Sequence, residues 1–259
     1  RLDVPGFDYH RGMEGRRYLK KFFMDLIEKK RASNDEDVFA HFCKEKTELG
    51  EYYTDEDIAD HMVFLMLAAH DTTTSASTMA AYYLCNDQPL QSKVAAEVAS
   101  WPKELSFETV FHQTNSLICV FYETIRLHPP VPVFLRRTIR DCEIGGVQVP
   151  ADTMVCVPGN YVHRLPDWWR DPEMFDPYRF SDEVAEHKRH NFMWVPFGGG
   201  AHKCIGMHFA RMLFQLTFRE VLLNYRLEYA EDDYYPAKLQ HFPFTRPLDN
   251  LPVRLVARN

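Results

Sequence analysis

One cysteine stands where its chemistry could be used, at the end of a glycine-rich loop. Cys204 lies in the run FGGGAHKCIG, residues 197–206, and precedes an apolar stretch with helical spacing. Glycine permits backbone conformations closed to other residues, so this loop could pass close to a flat ligand. A sulfur at a helix N-terminus faces the positive end of the helix dipole, which favours the thiolate. The run indicates a metal-binding or nucleophilic thiolate, and a buried structural cysteine is the alternative.

The spacing Phe-x-x-Gly-x-(Arg or His)-x-Cys-x-Gly resembles the haem-thiolate loop of the cytochrome P450 family. This resemblance implies haem b as the cofactor and Cys204 as the axial ligand of its iron. His202 stands where arginine is more common and would reach a haem propionate, a feature shared with bacterial sterol-demethylase-like members. The resemblance assigns further haem contacts in this loop to Pro196, Phe197, Gly198, Gly200 and Gly206.

A polar run, His70-Asp71-Thr72-Thr73, interrupts a long apolar stretch. Aspartate and threonine are poor choices for a helix interior because their side chains compete for backbone hydrogen bonds. The run resembles the family's oxygen-activating stretch, which implies that Asp71 supplies protons and that Thr72 hydrogen-bonds the dioxygen. The same resemblance places Ala68 and Ala69 against the haem, although glycine is usual at the second position. A close helix crossing lined by small residues is the alternative.

Three charged residues resemble the family's structural network. Glu123 and Arg126 are neighbours on one helix face because they are three residues apart. Taken alone, such a pair would be an ordinary surface ion pair. The following Leu-His-Pro-Pro and the later run FDPYRF match the family's Glu-x-x-Arg helix and its irregular meander segment, which adds Arg179. The resemblance therefore implies a buried network whose role is architectural.

A β-prone stretch follows that helix and ends in two arginines. The resemblance implies that Arg136 binds a haem propionate, and bidentate arginine suits a carboxylate. Solvated strand charges are the alternative. The resemblance also implies the positions that line the substrate, and all of them are apolar: Leu65, Ala69, Val131, Val133 and Phe134.

The elements that must position these residues are mostly helices. Apolar spacing predicts helices over 14–31, 38–46, 55–85, 89–100, 107–111, 113–127 and 205–223, after a turn-rich start over 1–13. Thr54 and Asp57 resemble a capping box, and Asn34 or Asp35 could cap the second helix. Strands are predicted over 131–137, 142–149 and 154–157, the second as a hairpin.

The predicted fold class is therefore mainly α with a minor β-sheet. The resemblance implies the C-terminal part of the cytochrome P450 fold. We expect one haem domain over 1–259, lacking its N-terminal portion. Its helical part would cover 1–130, and 131–259 would carry the sheet, meander, haem loop, last helix and C-terminal strands. The helix over 55–85 is apolar on so many sides that the chain expressed alone is expected to bind haem weakly or aggregate.

Composition narrows the class of protein. The chain has 259 residues, 46% of them hydrophobic, with a net charge of −7 and no basic stripe for nucleic acid. Its six cysteines show no regular spacing, which favours reduced thiols in the cytoplasm over a disulfide framework. We therefore expect a soluble, bacterial-like protein. Residue 1 is an arginine, so we expect the chain to begin within a longer protein, and a membrane anchor in the preceding part stays an open alternative.

The function that the resemblance implies is a haem-thiolate monooxygenase acting on a lipid, sterol or terpenoid-like substrate. Electrons would come from a ferredoxin or flavodoxin and its reductase, and Lys203, His208 and Arg211 offer positive charge to such a donor. One alternative is a peroxide-driven or isomerising haem-thiolate enzyme. Another is a haem-binding sensor or fragment without catalysis.

Overall fold

The computed structural model describes residues 3–111 and 115–258. Its α-helices are α1 (Asp8–Ala32), α2 (Val38–Lys44), α3 (Asp55–Asn86), α4 (Gln88–Ala99), α5 (Phe107–Phe111), α6 (Ser116–Leu127), α7 (Gly159–Val162) and α8 (Met207–Asn224). Short 3-10 helices lie at Pro177–Phe180, Glu186–Lys188 and Gly200–His202. Helices predominate, so the predicted mainly α class is confirmed.

The strands are β1 (Phe134–Arg137), β2 (Cys142–Ile144), β3 (Val147–Val149), β4 (Met154–Val157), β5 (Tyr225–Tyr229), β6 (Leu239–Gln240), β7 (Arg246–Pro247) and β8 (Val253–Ala257). They form four antiparallel two-stranded sheets, β1 with β4, β2 with β3, β5 with β8 and β6 with β7. The β2–β3 pair confirms the hairpin predicted around Gly145 and Gly146.

The longest helix matches its prediction almost residue for residue. α3 begins where the Thr54 hydroxyl accepts the amide of Asp57 over 3.1 Å, as the capping box requires. It then runs without proline or glycine to Asn86. Its middle leaves large apolar side chains exposed, with Phe64 at 64% and Leu67 at 57%. The helix therefore has more apolar surface than the described chain covers.

Three of the differences from the prediction have a clear physical cause. α1 begins at Asp8, because Gly12 and Gly15 only weaken a helix and the acidic first turn favours its N-terminus. The cap of α2 is Asp37, whose carboxylate accepts the Ala40 amide over 2.9 Å, so the predicted Asn34 and Asp35 caps are wrong.

The third difference is in the first strand. β1 is shorter than predicted, because the prolines at 130 and 132 have no N–H to donate to a ladder. The predicted start of α6 at residue 113 lies outside the described residues. Its described part is capped by Asn115, which accepts the Ile118 amide over 2.8 Å.

The chain divides into two compact units, residues 1–70 and 71–259. The single-domain organisation stays a prediction. The core of the first unit joins α1, α2 and the start of α3. There Phe23 meets Phe39 edge to face at 5.4 Å, and Ile27 and Ile58 are fully buried.

The core of the second unit is built around α6. Leu117 and Val120 of this helix are fully buried, and Phe121 packs on Phe214 of α8 with ring centroids 4.7 Å apart. Buried Gln91 of α4 joins the end of α3 to β5, because its amide bonds the carbonyls of Leu84 and Leu227. α6 is thus the element against which the later segments are placed.

Candidate functional site

The glycine-rich loop before α8 folds back on itself. Gly198 and Gly200 have φ values of +69° and +66°, in the left-handed region that glycine adopts without strain. The Cys204 amide donates to the Phe197 carbonyl over 2.9 Å, which brings the two ends of the loop together. The backbone itself therefore fixes where Cys204 lies.

Cys204 is exposed, just before the N-terminus of α8. A Cβ built on Gly206 would lie 3.8 Å from its sulfur, so glycine leaves the space beside the sulfur free of side chain. By contrast, burial raises the pKa of Cys85 and of Cys119 to about 12, which keeps those thiols protonated. The structure contradicts the alternative of a buried structural cysteine at position 204. An exposed sulfur on a loop with glycines on both sides fits a flat cofactor.

One of the two arginines of β1 leaves the strand on the same side as Phe134, which lies against the glycine-rich loop. Phe134 and Arg136 are two residues apart, so their side chains leave the strand on the same side. A Cβ built on Gly198 would lie 3.9 Å from Phe134 Cε1, which places that side of β1 against the loop. Arg137 leaves on the other side, and its Nη1 donates to Asp152 Oδ1 over 2.6 Å. Arg136 is therefore the better placed of the two for the predicted propionate.

The Phe134 ring rests on a second glycine. A Cβ built on Gly159 of α7 would come within 2.9 Å of Phe134 Cε2, closer than such atoms approach in proteins. The ring thus packs between α7 and the glycine-rich loop. Of the other predicted lining residues near it, Val131 is exposed and Val133 half-buried.

The predicted oxygen-activating residues lie on α3 one turn before a buried serine. Asp71 and Thr72 are half-buried, whereas Ser75 is buried. The Ser75 hydroxyl donates to the Thr245 carbonyl over 2.6 Å, and the Thr245 hydroxyl donates to the Pro129 carbonyl over 3.2 Å. This chain of two bonds ties α3 to the segment that leads into Val131. This chain of bonds was not predicted from the sequence, although the hydroxyl-rich run 72–75 was a signal.

The remaining predicted residues on α3 belong to the first unit. Leu65 and Ala68 are half-buried there, and Ala69 is exposed. Their predicted haem and substrate contacts stay predictions. In the loop, His202 is exposed at the end of the 3-10 turn Gly200–His202.

The charged residues predicted to form a network do so. Arg126 donates two hydrogen bonds to the Glu123 carboxylate, from Nε to Oε2 over 2.6 Å and from Nη2 to Oε1 over 2.8 Å. Arg179 Nε donates to the same carboxylate over 3.1 Å. All three side chains are fully buried, so the surface-pair alternative is wrong.

A fourth member, Glu186, completes the network. Its Oε2 accepts Arg179 Nη1 over 3.0 Å, and its Oε1 accepts the Arg170 amide over 2.7 Å. The buried charges are then balanced, two acids against two guanidinium groups. Burial raises the pKa of Glu123, while Arg126 and Arg179 oppose that shift. Charge counting could have predicted a second acid, because two buried arginines require one, but it does not show that this acid is Glu186.

The chain is similar to known proteins over almost its whole length. The family model described as Cytochrome P450 matches residues 4–251. Cytochrome P450 136 of Mycobacterium tuberculosis is 38% identical, over 100% of this chain and 52% of that protein. Abscisic acid 8'-hydroxylase 4 of Arabidopsis thaliana is 30% identical, over 97% of this chain and 54% of that protein.

A solved cyanobacterial structure with retinoic acid bound superposes with a TM-score of 0.88 at 26% identity. The superposition covers 99% of this chain and 59% of the cyanobacterial chain. The chain thus spans about half the length of the curated relatives it matches. Within the described ranges, none of the helices is both long and apolar enough to cross a bilayer.

Proposed function

Because the chain belongs to the cytochrome P450 family, we propose that the protein is a haem-thiolate monooxygenase. It inserts one atom of dioxygen into a hydrophobic substrate and consumes two electrons and two protons. The observation that carries this proposal is the exposed Cys204, held just before α8 by a loop whose glycines adopt left-handed conformations.

The residues around the loop fit haem b. Cys204 would bind the iron, and Arg136 and His202 would each donate to a propionate. Haem ligated by a thiolate supplies the oxygen-activating chemistry, since in this family the sulfur pushes electron density that favours O–O cleavage. Because Gly198, Gly199 and Gly200 have no side chains, backbone N–H groups would be able to approach the sulfur. Hydrogen bonds from these groups would adjust how strongly the sulfur donates electrons.

The middle of α3 would supply protons to the reaction. The Asp71 carboxylate would take protons from solvent and hand them on. The neighbouring Thr72 hydroxyl would donate a hydrogen bond at the place where dioxygen reacts. Ser75, one turn further on, would keep this stretch in register with the lining segment through Thr245.

The substrate would be apolar, because the lining positions are. Two similar proteins narrow the class, one named for abscisic acid hydroxylation and one solved with retinoic acid. Both compounds are isoprenoid carboxylic acids. Among lipid, sterol and terpenoid-like substrates, these names favour a terpenoid.

Electrons would come from a ferredoxin or flavodoxin served by its own reductase. Lys203 and His208 are exposed next to Cys204 and would attract an acidic donor. Arg211 is less available than the sequence suggests, since its guanidinium lies over the Tyr122 ring at 5.4 Å.

The test is the spectrum of the reduced, carbon-monoxide-bound protein. Cys204→Ser should abolish the red-shifted Soret band of a thiolate ligand. Cys156→Ser is the matched control, because Cys156 is also exposed but lies on β4. A band that survives Cys204→Ser would refute the proposal.

The alternatives separate by turnover of the full-length protein. Product formed with a reductase and ferredoxin supports the monooxygenase. Product formed only with added peroxide supports the peroxide-driven enzyme, and haem binding without any product supports a sensor.

A further inference from the structure

His163 follows α7 and is fully buried between two backbone groups. Its Nδ1 lies 3.0 Å from the Arg126 carbonyl oxygen, and its Nε2 lies 2.9 Å from the Val195 amide nitrogen. A carbonyl can only accept and an amide N–H can only donate, so the two partners fix the tautomer. The imidazole is neutral, donates from Nδ1 and accepts at Nε2.

The same residue is held from its main chain as well. Arg126 Nη1 donates to the His163 carbonyl over 2.7 Å, while the His163 ring donates to the Arg126 carbonyl. Arg126 is in turn held by both oxygens of Glu123. His163 is therefore fixed to the buried charge network by reciprocal hydrogen bonds.

The Val195 end of this contact leads to the glycine-rich loop. The Val195 carbonyl accepts the Gly198 amide over 2.9 Å, and the Phe197 carbonyl accepts the Cys204 amide over 2.9 Å. Val195 thus belongs to the backbone turn that opens the loop. The imidazole therefore bridges this turn and the α6 end of the network, with one hydrogen bond to each.

We propose that His163 is a positioning residue, which sets the place of the glycine-rich loop and hence of the Cys204 sulfur. The proposal rests on the proposed haem-thiolate function. His163 itself touches neither cofactor nor substrate in this view. It transmits the rigidity of the network to the loop.

The environment of the ring supports this role. Burial lowers the pKa of His163 to about 3. The ring therefore stays neutral at physiological pH, and its acceptor nitrogen remains available to the Val195 amide.

The chain offers a matched control in His128. Burial also lowers the pKa of that histidine to about 3, but its Nε2 pairs with the Tyr83 hydroxyl over 2.8 Å. A His128→Leu variant therefore removes another neutral imidazole without touching Val195. His163→Gln is the conservative variant, since one amide side chain still carries a donor and an acceptor.

Two readouts on the full-length protein test the proposal. The first is hydrogen exchange at the amides of Val195, Gly198 and Cys204, which needs no haem. His163→Leu should speed exchange there by about tenfold, the scale of one lost hydrogen bond. The second is the fraction of the reduced carbon-monoxide complex that shows the thiolate band, which should fall in the same variant.

His163→Gln should recover most of both signals, and His128→Leu should leave both near the unmodified values while lowering stability. If His163→Leu and His128→Leu behave alike at these amides and in the band, the proposal is overturned. Equal loss in His163→Leu and His163→Gln would also overturn it, because only ring volume would then matter. If the haem-thiolate assignment itself fails, the thiolate band is missing from every variant and from the unmodified protein. Hydrogen exchange still reports on the link between His163 and Val195 in that case.

Discussion

The charge network and the glycine-rich loop lie close in the fold but are built in opposite ways. Glu123, Arg126 and Arg179 are fully buried, and their charged atoms bind one another. In the loop, Cys204 is exposed and the neighbouring Ile205 is 86% exposed, while order comes from backbone bonds and left-handed glycines. The difference shows two ways of holding residues in place within one compact unit. In the proposed enzyme, the side chains that hold structure are enclosed, and the side chain assigned to the iron stays accessible on a fixed backbone.

The strongest test of this comparison breaks the network. Glu123→Ala leaves two buried guanidinium groups without their shared carboxylate, so the free energy of unfolding should fall by about 3–5 kcal/mol. The control is Glu173→Ala, which breaks an exposed pair with Arg164 and should cost less than about 1 kcal/mol. Urea unfolding of the two variants measures the difference. Equal losses would mean that burial of the network does not matter.

The second test changes a proposed catalytic residue and leaves the buried charge network intact. Asp71→Asn should reduce turnover about 100-fold, because an amide cannot relay protons and general acid–base groups contribute at least that much. Stability should remain close to that of the unmodified protein, since the two side chains have nearly the same volume. Steady-state product formation and thermal unfolding measure both quantities. Unchanged turnover at every pH would remove Asp71 from the mechanism.

Acidification gives an intermediate effect on the support region. The pKa of His163 is lowered from its ordinary 6.5 to about 3. Between these two values, the histidine binds a proton in the unfolded chain and stays neutral in the folded chain. The stability that this neutral ring contributes is therefore full well above pH 6.5 and should fall by about 1.2 kcal/mol between pH 6 and pH 5. Urea unfolding at each pH measures the slope. His163→Gln should show a shallower slope, and an unchanged slope would contradict the assignment.

The smallest expected effect lies in the loop backbone. Gly198→Ala forces a side chain into a φ of +69° and should cost about 1 kcal/mol. Gly12→Ala is its matched control, because Gly12 is helical and a Cβ there meets nothing within 4 Å. That control should stabilise by up to about 1 kcal/mol. Thermal unfolding resolves the opposite signs, and a shared sign would show that the left-handed conformation does not hold the loop.

The sequence predicts best where the signal is local. The cap of α3 at Thr54 and the β2–β3 hairpin depend on neighbours a few residues apart, and both are confirmed. The Glu123 network was predicted through family resemblance, since nothing local shows that Arg179 lies beside it. Site roles such as those of Asp71 and Arg136 stay predictions.

What the sequence could not show are contacts between distant backbone groups. His163 binds carbonyl and amide groups that belong to every residue type, so no residue pattern marks its partners. Thr245 is similar, because its carbonyl accepts Ser75 from 170 positions away in the chain. Such bridges follow from tertiary packing, which periodicity and spacing do not encode.

The bridge through Thr245 has a thermodynamic consequence for the proposed enzyme. Two hydrogen bonds connect α3, near Thr72, with Pro129 and so with the segment that begins at Val131. A molecule that shifts this segment must then also bias α3. Binding at the segment that begins at Val131 and the conformation of α3 near Thr72 then become linked equilibria. The coupling free energy between them is the same in either direction.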